Sequence, residues 1–330
     1  MAFLEYLQLI AFFGSVIFTV LLISLVIIQK SVTTPLPVIK RHKQEKTFLD
    51  PNILKNIEFP SIEDEPSVDL SVIVPAYNEE ERMPSMLDEC LEYLENKTKS
   101  GNFTYEVIVV SDGSSDGTVA LALKYSKRYT AEKVRVLELT ENRGKGGAVR
   151  LGMLSARGRN LLFADADGAT TFSDLDKLIE VLGTINSDWK EDAVVIGSRA
   201  HLEKEAIATR SAFRTFLMHG FHFLVWLFAV RSLRDTQCGF KLLTRSAAKK
   251  LFRIMHVERW AFDVELLYLV ERLNIPVREV AVKWQEIEGS KLTPFWSWIQ
   301  MGVDLFLIWF RYTIGAWQIV DPTTTKAHSE

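Results

Sequence analysis

Two carboxylates one residue apart, Asp165 and Asp167, close an apolar run (residues 161–164) and are followed by Gly168. A buried strand ending this way would place two hard oxygen ligands at its carboxyl end, the edge where open α/β sheets bind ligands. Mg²⁺ or Mn²⁺ accepts one or two carboxylates and completes its shell with diphosphate oxygens and water. Alone, such a pair is a weak motif, because it also occurs on solvated turns. Three further stretches follow apolar, β-branched runs: Pro75-Ala76-Tyr77-Asn78-Glu79, the turn-rich loop holding Asp112, and Asn142-Arg143-Gly144-Lys145-Gly146-Gly147. A glycine-rich loop lets backbone approach phosphate, and Arg143 or Lys145 supplies charge. An acid, a cationic glycine loop and a metal-type pair, in that order, read as a nucleotide-diphosphate site.

The elements that must position these residues are legible in outline. Residues 70–74, 105–110 and 134–139 and the Asp-ended run read as buried strands, with helices between them. That alternation over short loops predicts an α/β fold with a doubly wound, mostly parallel sheet. Residues 193–199 read as a further strand, 231–241 as a polar loop, 260–274 as a helix and 277–284 as an alternating edge strand. A dinucleotide-binding dehydrogenase is the rival, since Gly144-Lys145-Gly146 follows a strand and Asp165 lies about 20 residues on. Val149 holds the place of its third glycine, however, and the loop follows the third strand instead of the first.

The net charge of −3 argues against nucleic acid as the partner. Cys90 and Cys238 form no disulfide or metal pattern. Residues 6–28 carry no charge, enough to span a bilayer as a helix. Glu5 precedes the run, and Lys30, Lys40, Arg41, Lys43 and Lys46 follow it, which predicts an N-terminal anchor with the body in the cytosol. The expected plan is an anchor over 1–30, a tether over 31–66 and a catalytic domain over 67–293. A membrane-associated helix over 294–320 and a polar tail over 321–330 complete it. Within the domain, 210–230 begins with Arg210 and Arg214 and turns apolar, as suits a helix lying in the membrane interface. In the last helix Ser297, Gln300, Asp304 and Arg311 form one polar stripe, and Trp296, Trp298, Trp309 and Trp317 suit an interfacial belt.

The motifs at 74–79, 112–116 and 165–167 resemble the signature of family 2 glycosyltransferases of the GT-A fold. Asp235-Thr236-Gln237-Cys238-Gly239-Phe240-Lys241 and the stretch from Arg259 to Leu266 resemble its polyprenyl-phosphate branch, most nearly the members that glucosylate dolichyl phosphate. The resemblance spans about residues 68–295 plus the anchor. It implies inverting transfer of glucose from UDP-glucose to dolichyl phosphate at the endoplasmic reticulum membrane, with Mg²⁺ or Mn²⁺. It also implies that Pro75, Tyr77, Glu79 and Asp112 hold uridine, that Asp165 and Asp167 hold the metal–diphosphate, and that Lys291 serves a closing lid. Three departures stand out. Ala169 replaces a Gln of the mannosyl relatives, Ser111 replaces a second Asp, and no Arg stands shortly before Gly289.

A phosphate monoester acceptor has its second pKa near ~6 and is anionic at neutral pH, so it needs no general base. The protein's work is then positioning and charge neutralisation. Arg210, Arg214, Arg234 and Lys241 are the expected acceptor-phosphate cations, with Asp263 and Glu265 orienting them. Mannosyl transfer to the same acceptor, a processive polysaccharide synthase and a membrane-tethered nucleotide-sugar binding module are the alternatives.

Overall fold

The computed structural model describes residues 2–186, 191–202, 220, 224–225, 227–228, 233–287 and 294–320. Seven strands form one sheet, built on β3 (Val68–Ala76), β4 (Tyr105–Ser111), β5 (Val134–Glu138), β6 (Gly158–Ala164), β7 (Val194–Ser198), β8 (Phe240–Thr244) and β9 (Val277–Ala281). Their order is β5-β4-β3-β6-β8-β7-β9. All neighbours run parallel except β8, which is antiparallel to both β6 and β7. The expected mostly parallel sheet is present.

The inner strands are apolar without alternation because both sheet faces are covered. Ile73, Ile108 and Phe163 pack on one face against α4 (Lys145–Leu154), α6 (Arg245–Ile254) and α7 (Phe262–Arg272). Val72, Val74, Val107, Val109 and Leu162 pack on the other against α2 (Met83–Ser100), α3 (Thr118–Tyr129) and α5 (Leu175–Ile185). In α2 the buried Met83, Met86, Leu87, Cys90, Leu91 and Leu94 recur at three- and four-residue steps, which gives one apolar face to bury. Each fully buried Leu or Phe contributes roughly 1.5–3 kcal/mol.

The structure departs from expectation in four places. Residues 231–241 are not all loop, because Phe240 opens β8; its burial on both faces gives no alternation to read. The expected tether holds a short 3₁₀ turn (Lys43–Lys46) and a hairpin, β1 (Thr47–Asp50) with β2 (Lys55–Glu58). The edge strand stops at Ala281, and a lone bridge joins Thr170 to Trp284. Trp317 is buried and stacked on His256 at 4.3 Å, so it does not face a bilayer.

Helix α1 (Ala2–Val32) is apolar and, among the described residues, meets the body only near its carboxyl end, with one segment, Glu5–Val32, long and apolar enough to cross a membrane. Helix α8 (Pro294–Thr313) buries Leu305, Ile308 and Phe310 and reaches α1, where Arg311 Nε donates to Gln29 Oε1 at 2.8 Å. The expected interfacial helix over 210–230 lies mostly outside the described residues.

Candidate active site

The carboxyl ends of β3, β4, β5 and β6 share one edge. There the Asp112 amide donates to Ala76 O (2.8 Å) and the Leu139 amide to Ser111 O (2.9 Å). Asp165 and Asp167 leave β6 beside the start of β8, with the Asp165 amide donating to Gly239 O (3.0 Å). The Asp165 carboxylate lies against the Gly239 Cα, and any Cβ there would collide with Oδ2. Gly239 is therefore part of the carboxylate's seat. The Ala169 amide donates to Asp167 Oδ1 (3.0 Å), and Gly168, at φ +72°, makes that turn.

Two cations flank the pair. Lys145, in the first turn of α4, places Nζ 2.6 Å from Asp165 Oδ1. At that distance the two charges form a direct, hydrogen-bonded ion pair. Burial works against the Lys145 ammonium, but Asp165, Asp263 and Asp167 outweigh it and hold its pKa above the ordinary value. The second cation is Arg82, which the sequence reading did not single out. Its guanidinium grips Glu79 through Nε to Oε2 (2.7 Å) and Nη2 to Oε1 (2.5 Å), and Nη1 lies 4.0 Å from Asp167 Oδ2. Its i,i+3 spacing from Glu79 was the readable signal. Burial raises the Asp167 carboxyl above its usual range, with the Asp165 charge adding to it.

The glycine loop is used differently from expectation. Both oxygens of the buried Asp112 accept backbone amides, from Arg143 and Gly144 at 2.8 Å each. Asp112 thus caps the start of α4 from the end of β4. Burial still pushes its carboxyl up, against the pull of those amides. A side chain at Gly144, Gly146 or Gly147 would meet Glu258, Arg259, Phe262 or Arg143, so these glycines admit the 258–262 segment. The Arg143 guanidinium turns to the N-terminal segment, with Nη2 on both Glu45 oxygens (2.8 Å) and Nη1 on Lys40 O. Lys145 alone of the two expected loop cations reaches the Asp pair.

Tyr77 is exposed at the mouth, Pro75 is the second-last residue of β3, and the Glu79 amide donates to Thr118 Oγ1 (2.8 Å). Ser111 Oγ donates to Ser114 Oγ (3.0 Å). Among the expected acceptor cations, Lys241 is fully buried, with Nζ on Asp263 Oδ1 (2.5 Å) and Cys238 O (2.6 Å). It supports the site from beneath, because β8 directs it into the core beside Phe163. Asp263 does orient a cation, but Glu265 does not. Glu265 accepts the amides of His256 and Val257 and the Tyr312 hydroxyl, at 2.9, 2.6 and 2.7 Å. Arg234 is exposed, and its amide donates to Glu279 (3.1 Å). Next to it Asp235 holds the Arg199 guanidinium through two hydrogen bonds of 2.7 and 2.8 Å. Arg210, Arg214 and Lys291 lie outside the described residues.

The described residues contain no group of three or more His, Cys, Asp or Glu able to cage a metal. Two neighbouring carboxylates, one held above its ordinary pKa by burial and by the charge of the other, instead fit a cation that brings other ligands from its substrate.

The profile of glycosyl transferase family 2 matches residues 71–252. A dolichyl-phosphate beta-glucosyltransferase of Drosophila melanogaster is 72% identical over 87% of this chain and 88% of its own length. The human protein of that name is 54% identical over 94% of this chain and 96% of its own. Among solved structures, glucosyl-3-phosphoglycerate synthase from Mycobacterium tuberculosis, in complex with Mn²⁺, UDP and glucosyl-3-phosphoglycerate, superposes with a TM-score of 0.50. It is 16% identical, covering 76% of this chain and 81% of that one, and shows the shared fold.

Proposed function

The chain belongs to glycosyl transferase family 2, in the group of the dolichyl-phosphate beta-glucosyltransferases, and we propose that it transfers glucose from UDP-glucose to dolichyl phosphate with inversion. The observation that carries this reading is the Asp165–Asp167 pair at the end of β6, flanked by Lys145 and Arg82. A divalent cation, Mg²⁺ or Mn²⁺, held by Asp165 and Asp167 would neutralise charge on the departing UDP. Lys145, paired with Asp165 beside the crevice, is the cation placed to meet the diphosphate. Arg82 fixes Glu79 toward the uridine side and sets positive charge against Asp167.

The acceptor phosphate attacks the anomeric carbon from the side opposite the leaving diphosphate, forming one C–O bond as another breaks. No proton has to leave the nucleophile at neutral pH. Asp263 is buried against Lys241, which suits support and not proton abstraction. The product would supply glucose for lipid-linked oligosaccharide assembly in N-glycosylation at the endoplasmic reticulum. The cations after α1 favour a cytosolic body, in which the sequons at Asn96 and Asn102 stay unmodified.

Purified full-length chain should release UDP from UDP-glucose only when polyprenyl phosphate is added, with glucose recovered on the lipid. Faster turnover of GDP-mannose would reassign the donor, and a polymeric glucan would reassign the acceptor. UDP-glucose binding with no turnover would leave a binding module.

A further inference from the structure

A cavity of about 610 Å³ lies apart from the Asp pair, where the end of α1 meets the body. Val32, Thr33 and Thr34 line it together with Arg143, Arg150 and His256. Each of these last three keeps one buried nitrogen without a hydrogen-bond partner among the described residues: Nε of Arg143, Nε of Arg150 and Nε2 of His256. The Arg143 and Arg150 side chains are almost wholly buried, and that of His256 is 6% exposed. Three incompletely satisfied nitrogens around one cavity are costly unless something accepts from them.

The charges at the cavity are mixed but favour an anion. Glu45 neutralises Arg143 and Glu258 neutralises Arg150. Lys40 and Arg259 at the rim then face the single carboxylate of Glu141, before His256 is counted. The apolar part of the lining includes Pro37, Val38 and Trp317, and Val32, Leu36 and Val38 are exposed. Helix α1 is about 45 Å long at 1.5 Å per residue, enough to cross a hydrocarbon core of about 30 Å and end among headgroups.

We propose that this cavity binds the phosphate of a membrane lipid, with Lys40 and Arg259 at its rim and the Arg143–Arg150–His256 nitrogens at its base. It is a second lipid-phosphate site, built at the junction of anchor and body, and its lining takes in Asn142 and Arg143 but not Lys145 or the Asp pair. Because its walls include the end of α1, occupancy ties the orientation of the body to the bilayer. The inference rests on reading α1 as a membrane anchor. Carbonate extraction tests that reading separately, since an anchored chain stays in the membrane pellet whether or not this site exists.

The experiment uses full-length chain in nanodiscs of phosphatidylcholine, alone or with phosphatidylinositol or dolichyl phosphate, with bound lipid counted by native mass spectrometry. Lys40→Gln/Arg259→Gln alters two exposed rim side chains, and circular dichroism checks that it folds. We expect the wild type to retain one phosphate-bearing lipid at least about tenfold more tightly than the double variant, with UDP-glucose binding unchanged. Preferential retention of phosphatidylinositol or of dolichyl phosphate identifies the source. Equal retention by the two proteins overturns the site. Saturation by inorganic phosphate in discs of phosphatidylcholine alone overturns its assignment to lipid.

Discussion

Gly239 shows how closely this site depends on single atoms. Its missing Cβ is the space that the Asp165 carboxylate fills, so Gly239→Ala must push that carboxylate out of its seat. A displacement of about 1 Å at a reacting centre can lower turnover roughly a hundredfold. We expect that loss in kcat while the melting temperature changes little, and wild-type kcat in this variant would refute the seat. Asp167 carries a pH signature. Burial, then the Asp165 charge, raises its carboxyl, so the folded chain holds that proton to higher pH than the unfolded chain does. Stability of the metal-free protein therefore falls as pH climbs from the ordinary carboxyl value through the raised one, and the loss persists above. Asp167→Asn should lack that fall, melt higher than wild type in chelator at neutral pH, gain nothing from added Mg²⁺ and abolish transfer. Parallel melts across acid to neutral pH decide it; the same falling curve in both proteins would clear Asp167. The residue types of the Asp pair and Lys145 were readable because strand ends share an edge. The partner of Arg143 was not, because Glu45 lies 98 positions earlier with nothing local to mark it.

At the level of elements, the 3₁₀ turn that leads into the N-terminal hairpin is bound to the glycine loop before α4, so this segment is not a loose tether. Glu45 is fully buried and accepts from Arg143 Nη2, from the Thr140 amide (3.1 Å) and hydroxyl (3.0 Å), and from the His42 amide (2.8 Å). Phe48 and Phe59 pack together beside it at 4.9 Å. Removing one partner of a buried ion pair costs about 3–5 kcal/mol because the other charge is left uncompensated. Glu45→Ala should therefore lose about that much stability in denaturant unfolding, and a loss under about 1 kcal/mol would show the contact to be ornamental. Prolines and a run of mixed charge hid this element, since its four-residue strands are too short for periodicity. β8 was hidden for the opposite reason. Held between β6 and β7, it is buried along its whole length and includes a lysine, so Lys241 reads as a surface cation until Asp263 is seen beside it. The parallel strands β3 to β6 were legible because each is an apolar run bounded by turn formers.

On the scale of the whole molecule, α1, α8 and the body meet at one junction. Arg311 bonds Gln29, and the Gln318 amide donates to Pro35 O (2.9 Å), so the last helix and the residues after it grip the end of α1 and the segment leaving it. The long apolar N-terminal helix and the composition of the last helix were legible in the sequence; this grip was not, since it joins positions 282 residues apart. On the proposed reading of α1 as a membrane anchor, a body held this way would search for a lipid acceptor in two dimensions, at the raised effective concentration that a short tether provides. The donor crevice, by contrast, is built from β3 to β6 and contains nothing from α1. Deleting residues 1–28 while keeping Gln29 and Pro35 should therefore separate the two substrates. UDP-glucose affinity should stay within about twofold of wild type, whereas KM for dolichyl phosphate in liposomes should rise roughly a hundredfold. A short-chain, water-soluble polyprenyl phosphate removes the membrane search, and with it the truncated and full-length chains should turn over alike. If the truncated chain is equally slow with the soluble acceptor, α1 shapes the active site itself and its role is not that of a tether.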